Sequence, residues 1–258
     1  MGALKRATIT YRLVPAALAA REAIPRAKDV VSNSIHPTAI LVGDVRLGDD
    51  NTIGPFVTIT GPVTIGDGNW IGAGVVIGAP PEVRGHEHPR TTSDVAGNGI
   101  DIGDRNIIRE YAQIHQGWKA RTRLGDDLFI MNQSYVAHDC EIGNGVTMAS
   151  SVLLAGHVRV GAGANLGLGT SVHQRTRIGD GAMVGMGAVV TRDVPPFAKA
   201  YGSPARVRGA NSVGMERAGM SRSAIAAVEL AYGANNLDLI SLASVPELAS
   251  HFEGWTAQ

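Results

Sequence analysis

One cysteine, Cys140, leaves no partner for an intramolecular disulfide, so no covalent framework staples this chain. Aromatic residues make up only 5% of it, and a conventional layered core leans on Phe, Tyr and Trp. Small interior positions and tight turns are expected instead. The 23 Lys and Arg residues balance the 23 Asp and Glu residues. A nucleic-acid backbone binder needs a strongly basic face, so no nucleic-acid partner is expected. No apolar run is long enough to span a bilayer. The opening "MGALKRATITYRLVPAALAAREAIPRAKD" has no continuous apolar core ending in a cleavage site. A cytoplasmic, soluble protein with no integral membrane segment is expected. Glycine is abundant, at 33 of 258 residues, a length that suits one large domain or one domain with an appendage.

The aliphatic residues recur every six positions. Ile35, Leu41, Leu47, Ile53, Ile59, Ile65, Ile71 and Ile77 begin the series. It resumes at Ile102, Ile108 and Ile114, then runs Leu124, Ile130, Val136, Ile142, Met148, Leu154, Val160, Leu166, Val172, Ile178, Val184 and Val190. Four places after the lead residue the side chain is usually small, as at Val57, Ser134, Cys140, Val146, Ala164 and Ala182. The units "IGDGNW", "IGNGVT", "VGAGAN" and "IGDGAM" carry the pattern plainly. A period of six matches neither a helix nor a long flat strand. It fits a short strand and a tight turn, repeated, with Gly, Asn and Asp supplying the turn conformations. Such units coil into a parallel solenoid whose turns stack at about 4.8 Å.

Two insertions break the frame. Residues 79–99, "APPEVRGHEHPRTTSDVAGNG", form a long polar loop, and residues 115–123, "HQGWKARTR", add four residues to one hexad. Pro195 and Pro196 are expected to end the solenoid. The resulting organisation is an N-terminal capping segment over 1–34, a β-helix over 35–196, and a connecting segment with a helical region over 197–258. "SRSAIAAVELAYGANN" and "SVPELASHFEGW" read as two short helices capped by Ser221 and Ser244 or nearby residues.

Hexads three apart lie one above another. The hexads led by Ile114, Val136, Leu154 and Val172 are 22, 18 and 18 residues apart, and the four-residue insertion accounts for the longer first gap. They contain His115, His138, His157 and His173, half of the chain's eight histidines. Four imidazoles in successive coils point to a functional cluster. His138 is the leading candidate for a general base, because the adjacent Asp139 can hold its ring and fix its tautomer. Neighbours in a regular strand point oppositely, so that pairing requires a bend. Cys140, at a small inward position, reads as core filler.

The hexads themselves resemble the left-handed parallel β-helix of the bacterial hexapeptide acyltransferases, in which three hexads make one triangular coil. "YVAHDCEIGN", "LLAGHVRV" and "SVHQ" together resemble the UDP-N-acetylglucosamine O-acyltransferases of lipid A synthesis. "IHPTAI", "IGDRNIIRE", "IHQG" and "GMERAGMSRSAI" are similar too. The resemblance implies an all-β solenoid with a small α appendage, assembled as a homotrimer. It implies an acyl donor carried as a phosphopantetheine thioester on acyl carrier protein, a nucleotide-sugar acceptor, and neither a metal nor another cofactor. His138 would be the base, Asp139 its orienting partner, and the Gly156 N–H the oxyanion donor. His157, His173 and Gln174 would line the donor and sugar pocket, with Asn211 and Arg217 reaching the nucleotide. Met186 matches the position that sets acyl-chain length, and a side chain larger than glycine there implies a medium or short chain. Arg175 and Arg177 flank the same corner and could meet an acidic carrier protein.

The chain also departs from the family pattern. "PPEVRG" stands where "PPQDLKY" is frequent, so Glu82 and Val83 replace a Gln–Asp pair that normally includes a sugar contact. Tyr135 stands where a further pocket histidine is common, and Val213 where an acidic residue is usual. The acceptor is therefore open: the hydroxyl or amine of a UDP-aminosugar, a different nucleotide sugar, or another small acceptor. A coenzyme A-dependent hexapeptide acyltransferase, a zinc carbonic-anhydrase-like enzyme and a non-catalytic solenoid are the competing readings.

Overall fold

Six-residue units yield strands of two to four residues joined by corners, and the corners turn the chain through three sheets. The computed structural model describes residues 32–87, 97–233, 239–253 and 255. Its strands form sheets of ten, eight and seven members. Ser34–Ile35, Ile40–Val42 and Val45–Leu47 begin the three sheets, and Thr52–Ile53 returns to pair in parallel with Ser34–Ile35. Val136 lies beside Leu154, and Leu154 beside Val172. Across the second insertion Ile114 still pairs with Val136, so the extra residues leave the ladder as a loop and do not slip its register. The fold is a parallel β-helix, as the hexads imply.

The lead residues fill the interior. Ile59, Ile77, Ile114, Val136 and Leu154 are fully buried, and so are the small corner residues Val57, Ala112, Val146, Val152 and Ala164. Each large aliphatic removed from water contributes about 1.5–3 kcal/mol, but no hexad encloses its own, so stability belongs to the stack. In the first coils the corner position holds asparagine instead. Asn69 N–H donates to Asn51 Oδ1, Asn106 N–H to Asn69 Oδ1, and Leu128 N–H to Asn106 Oδ1, at 2.8–2.9 Å. This ladder satisfies backbone amides that an apolar side chain would leave bare.

Pro195 and Pro196 end the hexad frame but not the sheet. Ala198–Tyr201 still pairs in parallel with Met183–Val184, and Arg206–Ala210 folds back antiparallel. The prolines occupy a corner, where a missing N–H costs no ladder bond, so the solenoid runs past the expected boundary at 196. Four helices follow: α1 (Ser212–Arg217), α2 (Arg222–Gly233), α3 (Leu239–Ala243) and α4 (Ala249–Phe252). Ser221 caps α2 as expected, its hydroxyl accepting Ala224 N–H at 3.2 Å. Ser244 starts no helix; it follows α3 and its hydroxyl donates to Ile240 O at 3.4 Å. The short α1 and α3 were not expected. Tyr232 of α2 is buried and donates to Pro196 O at 2.6 Å, which fastens the helices to the solenoid. Of the expected capping segment, residues 1–31 lie outside the described residues. Among the described residues no helix is long and apolar enough to cross a membrane.

Candidate active site

Val136, Leu154 and Val172 lead three stacked hexads, and the corners after them carry His138–Asp139, Gly156–His157 and Gln174–Arg175. Asp139, His157 and Arg175 have φ of 61°, 62° and 63°. This left-handed corner is the bend that lets the adjacent side chains of His138 and Asp139 meet. Asp and His tolerate it better than most residues. His138 shares its corner position with Gly156 and Gln174, and His157 shares the next one with Asp139.

Asp139 is buried and fully occupied. Its Oδ1 accepts backbone N–H groups from Trp118 at 3.0 Å, Lys119 at 2.8 Å and Ala120 at 2.6 Å. Its Oδ2 lies 2.7 Å from His138 Nδ1. The three amides belong to the second insertion, whose four extra residues thus build an anion nest around the carboxylate. Burial acts to raise the Asp139 carboxyl. The Ala120 N–H, the His138 side chain, the Lys119 N–H and the field of His157 oppose it and hold the carboxyl below the ordinary carboxylate range. An ionised carboxylate only accepts, so the imidazole proton of His138 resides on Nδ1 and Nε2 carries the free lone pair.

Gly156 makes that ring position possible. A Cβ there would stand 2.5 Å from His138 Cε1 and 2.6 Å from Nε2. Around this corner the N–H groups of Ala155, His157 and Arg175 are all bonded to neighbouring coils. The Gly156 N–H has no hydrogen-bond partner among the described residues and stands beside the imidazole. His157 completes the cluster, its ring edge-on to His138 with centroids 5.0 Å apart and its Nε2 3.6 Å from Asp139 Oδ2. Burial lowers the His157 pKa, helped by Arg175 and His138 and opposed by Asp139. The ring is therefore neutral at neutral pH.

Ligand atoms of His138, Asp139 and His157 lie within 4.8 Å of one another, a donor set suited to a divalent transition metal. Oδ2 already takes the His138 Nδ1 proton, so an ion bound there would have to displace it.

The two insertions are joined to each other. Asn98 N–H donates to Gly117 O at 2.8 Å and its Nδ2 to Trp118 O at 2.9 Å. Arg121 reaches back to Asp101 at 2.7 Å and to Ile100 O at 3.0 Å. Trp118 stands edge-on to His138 at 6.0 Å, with Lys119 Nζ 4.0 Å above its indole. His115 packs on Tyr135 at 5.1 Å and lies 3.5 Å from Glu82 Oε1. Glu82, Asn98 and Trp118 were not singled out as site residues. Asn98 and Trp118 carried no sequence signal beyond membership of the two insertions, whereas Glu82 was marked only as a departure from the family's Gln–Asp pair.

The remaining candidates make other contacts or are exposed. His173 and Gln174 are exposed on the next coil, where His173 Nδ1 meets Gln174 O at 3.1 Å. Of the four stacked histidines, His138 and His157 face each other, His115 packs on Tyr135, and His173 is exposed. Asn211 caps α1: its Oδ1 accepts Gly214 N–H at 3.3 Å and its Nδ2 donates to Gly181 O at 2.9 Å. Its amide thus helps to hold α1 against the solenoid, and Arg217 is exposed at the end of that helix. Arg177 is bound to Asp193 at 3.0 Å and stacks on Trp255 at 4.2 Å. Arg175 is exposed. Met186 is 74% exposed and fills no core gap. Cys140 is buried, which pushes its thiol up to about 12 and makes it unreactive at neutral pH.

This architecture has counterparts among known proteins. Residues 193–235 match a profile described as UDP-N-acetylglucosamine O-acyltransferase, domain 2, and residues 121–156 match the bacterial transferase hexapeptide. An acyl-[acyl-carrier-protein]–UDP-N-acetylglucosamine O-acyltransferase from Thermodesulfovibrio yellowstonii is 53% identical over 140 residues. That match takes in 52% of this chain and 53% of the relative, so the chain spans about half the length of the curated relatives it matches. The crystal structure of UDP-N-acetylglucosamine O-acyltransferase from Moraxella catarrhalis is 30% identical, with a TM-score of 0.62 over 85% of this chain and 96% of that one. UDP-N-acetylglucosamine acyltransferase from Campylobacter jejuni aligns at 26% identity with a TM-score of 0.71, over 86% of this chain and 93% of the other. With hexad order, corner chemistry and a match at 30% identity over 96% of a solved relative in agreement, the chain belongs to the UDP-N-acetylglucosamine O-acyltransferase family.

Proposed function

We propose that this protein moves a medium or short acyl chain from an acyl carrier protein thioester to a hydroxyl or amine of a UDP-aminosugar such as UDP-N-acetylglucosamine. One observation carries the reading: a histidine with Nδ1 tied to a buried carboxylate presents its free Nε2 beside an unbonded backbone N–H. His138 Nε2 takes the acceptor proton as the acceptor attacks the thioester carbon. Asp139 steadies the imidazolium that forms. The carbonyl oxygen, now anionic, turns toward the Gly156 N–H. Collapse expels the phosphopantetheine thiol, which leaves with the proton from His138. A positioned base contributes about 10²–10⁴ in rate and an oxyanion donor about 10²–10³. A thioester is already activated, so the route needs no metal, no other cofactor and no covalent enzyme intermediate.

In this reading His157, His173 and Gln174 line the donor and sugar pocket, Arg217 reaches the nucleotide, and Met186 limits the acyl chain. The protein acts in the cytoplasm as a homotrimer with sites between neighbouring solenoids. The test offers the purified protein UDP-N-acetylglucosamine with acyl carrier protein thioesters, or with coenzyme A thioesters, and identifies products by mass spectrometry. Acylated nucleotide sugar from the carrier-protein donor, lost in His138→Ala, is expected. Product made only from coenzyme A, or made equally well by His138→Ala, contradicts the reading.

A further inference from the structure

Glu82 stands in the first insertion, 3.5 Å from His115, which ends the strand paired with the one that leads into His138. The insertion is pinned where Glu82 leaves it. His115 Nδ1 lies 3.0 Å from Pro80 O, Val83 N–H donates to Pro81 O at 2.9 Å, and His86 N–H to Val83 O at 2.8 Å. A carbonyl only accepts, so the neutral His115 ring keeps its proton on Nδ1 and a lone pair on Nε2. That Nε2 is enclosed, makes no hydrogen bond, and lies 3.5 Å from Glu82 Oε1. Two acceptors thus confront each other, and the arrangement calls for one shared proton. The His115 side chain is 8% exposed and the Glu82 side chain 42% exposed, so the carboxylate is the outward member. Among the described residues no Lys or Arg pairs with Glu82, and its one ion-pair partner is His115. Burial pushes its carboxyl above the ordinary range against the opposing pull of His115 and His138.

The site therefore holds two carboxylate–imidazole pairs of opposite orientation. In His138–Asp139 the imidazole faces outward; in His115–Glu82 the carboxylate does. A hydroxyl acceptor gives up one proton on acylation, whereas an ammonium gives up two. Building on the acyl-transfer reading above, we propose that the acceptor group is an amine, bound by Glu82, and that the product is an amide. Glu82, backed by His115, takes the first proton from the ammonium and releases it to solvent from its exposed side. His138 Nε2 takes the second as nitrogen attacks the thioester carbon. The C–N bond forms, the C–S bond breaks, and the thiolate leaves with the proton held on His138. A carboxylate that no Lys or Arg pairs with, and that only His115 backs, also favours a cationic group over a neutral hydroxyl.

The test uses two UDP-sugars that differ only in hydroxyl or amino at the acylated carbon. Equilibrium binding of each, and kcat/KM with an acyl carrier protein thioester, are measured for the wild type and for Glu82→Gln, with melting temperature as the folding control. The wild type is expected to favour the amino sugar by about tenfold or more, and Glu82→Gln to narrow that ratio by about tenfold, the effect of one partly buried ion pair. Equal or reversed preference in the wild type, or an unchanged ratio in Glu82→Gln, overturns the proposal. Failure to acylate either sugar contradicts the acyl-transfer reading, and the binding ratio then decides the amine preference by itself.

Discussion

The imidazole of His138 lies directly over the α-carbon of Gly156, so close that a methyl group there would fall 2.5 Å from Cε1 and 2.6 Å from Nε2. Gly156 does not have the positive φ of its corner neighbours, so alanine can adopt its backbone conformation. His138 supplies all three nearest atoms to such a Cβ. Gly156→Ala is accordingly expected to displace the ring without breaking the coil. Turnover should fall by about 10²–10³, with the melting temperature within a few degrees of wild type. Steady-state kinetics beside a thermal melt decide this, and near-normal turnover would mean the ring position is unimportant.

Asp139→Asn should also fold, because asparagine accepts the left-handed corner that Asp139 occupies at φ 61°. Its side-chain amide would donate toward Nδ1 and drive the His138 proton onto Nε2, removing the base. A loss of about 10²–10⁴ in turnover is expected. The same variant tests a stability effect. The folded Asp139 carboxyl lies below its ordinary value, so it adds stability at pH above about 4 that is lost as pH falls through the folded pKa. Denaturant midpoints measured from neutral pH into acid should decline less steeply in Asp139→Asn.

His157 gives a second pH signature of the same sign. Burial holds its pKa below the histidine norm, so the unfolded chain binds the proton more readily than the folded one. Stability is full above the unfolded value, about 6.5, and is lost as pH falls below it. Replacing the ring by His157→Gln should flatten the wild-type decline between about pH 7 and pH 5. An unchanged slope in chemical denaturation would rule out a half-buried, neutral His157.

Met186, at 74% exposed, is free to meet a substrate or a neighbouring solenoid. Met186→Gly is expected to move the preferred donor toward longer acyl chains. A panel of carrier-protein thioesters of graded length checks it, and an unshifted optimum rejects the role.

Much of this was legible in the chain itself. The six-residue period implies the coil, and adjacency of His138 and Asp139 implies a dyad once a bend is granted; φ 61° at Asp139 is that bend. Stacking the hexads correctly placed four histidines in successive coils but overlooked their offsets. His115 and His173 directly follow their lead residues, His138 is second and His157 third, so the rings cannot form one column. The nest around Asp139 was not legible, because a count of inserted residues locates a loop without giving its conformation. Glu82 was legible as a departure from the family pattern, but its contact with His115 was not, because it depends on how the first insertion folds. The cap that Asn211 makes on α1, and the absence of a helix starting at Ser244, were not legible because capping depends on helix ends that a six-residue period does not reveal.

The central claim is that His138 Nε2 deprotonates the acceptor. A single-turnover experiment tests it most directly, mixing enzyme in excess with carrier-bound acyl thioester and saturating UDP-aminosugar, for wild type and His138→Ala. The account predicts transfer slowed by about 10²–10⁴ in His138→Ala with the acceptor dissociation constant little changed. Transfer at the wild-type rate would contradict it.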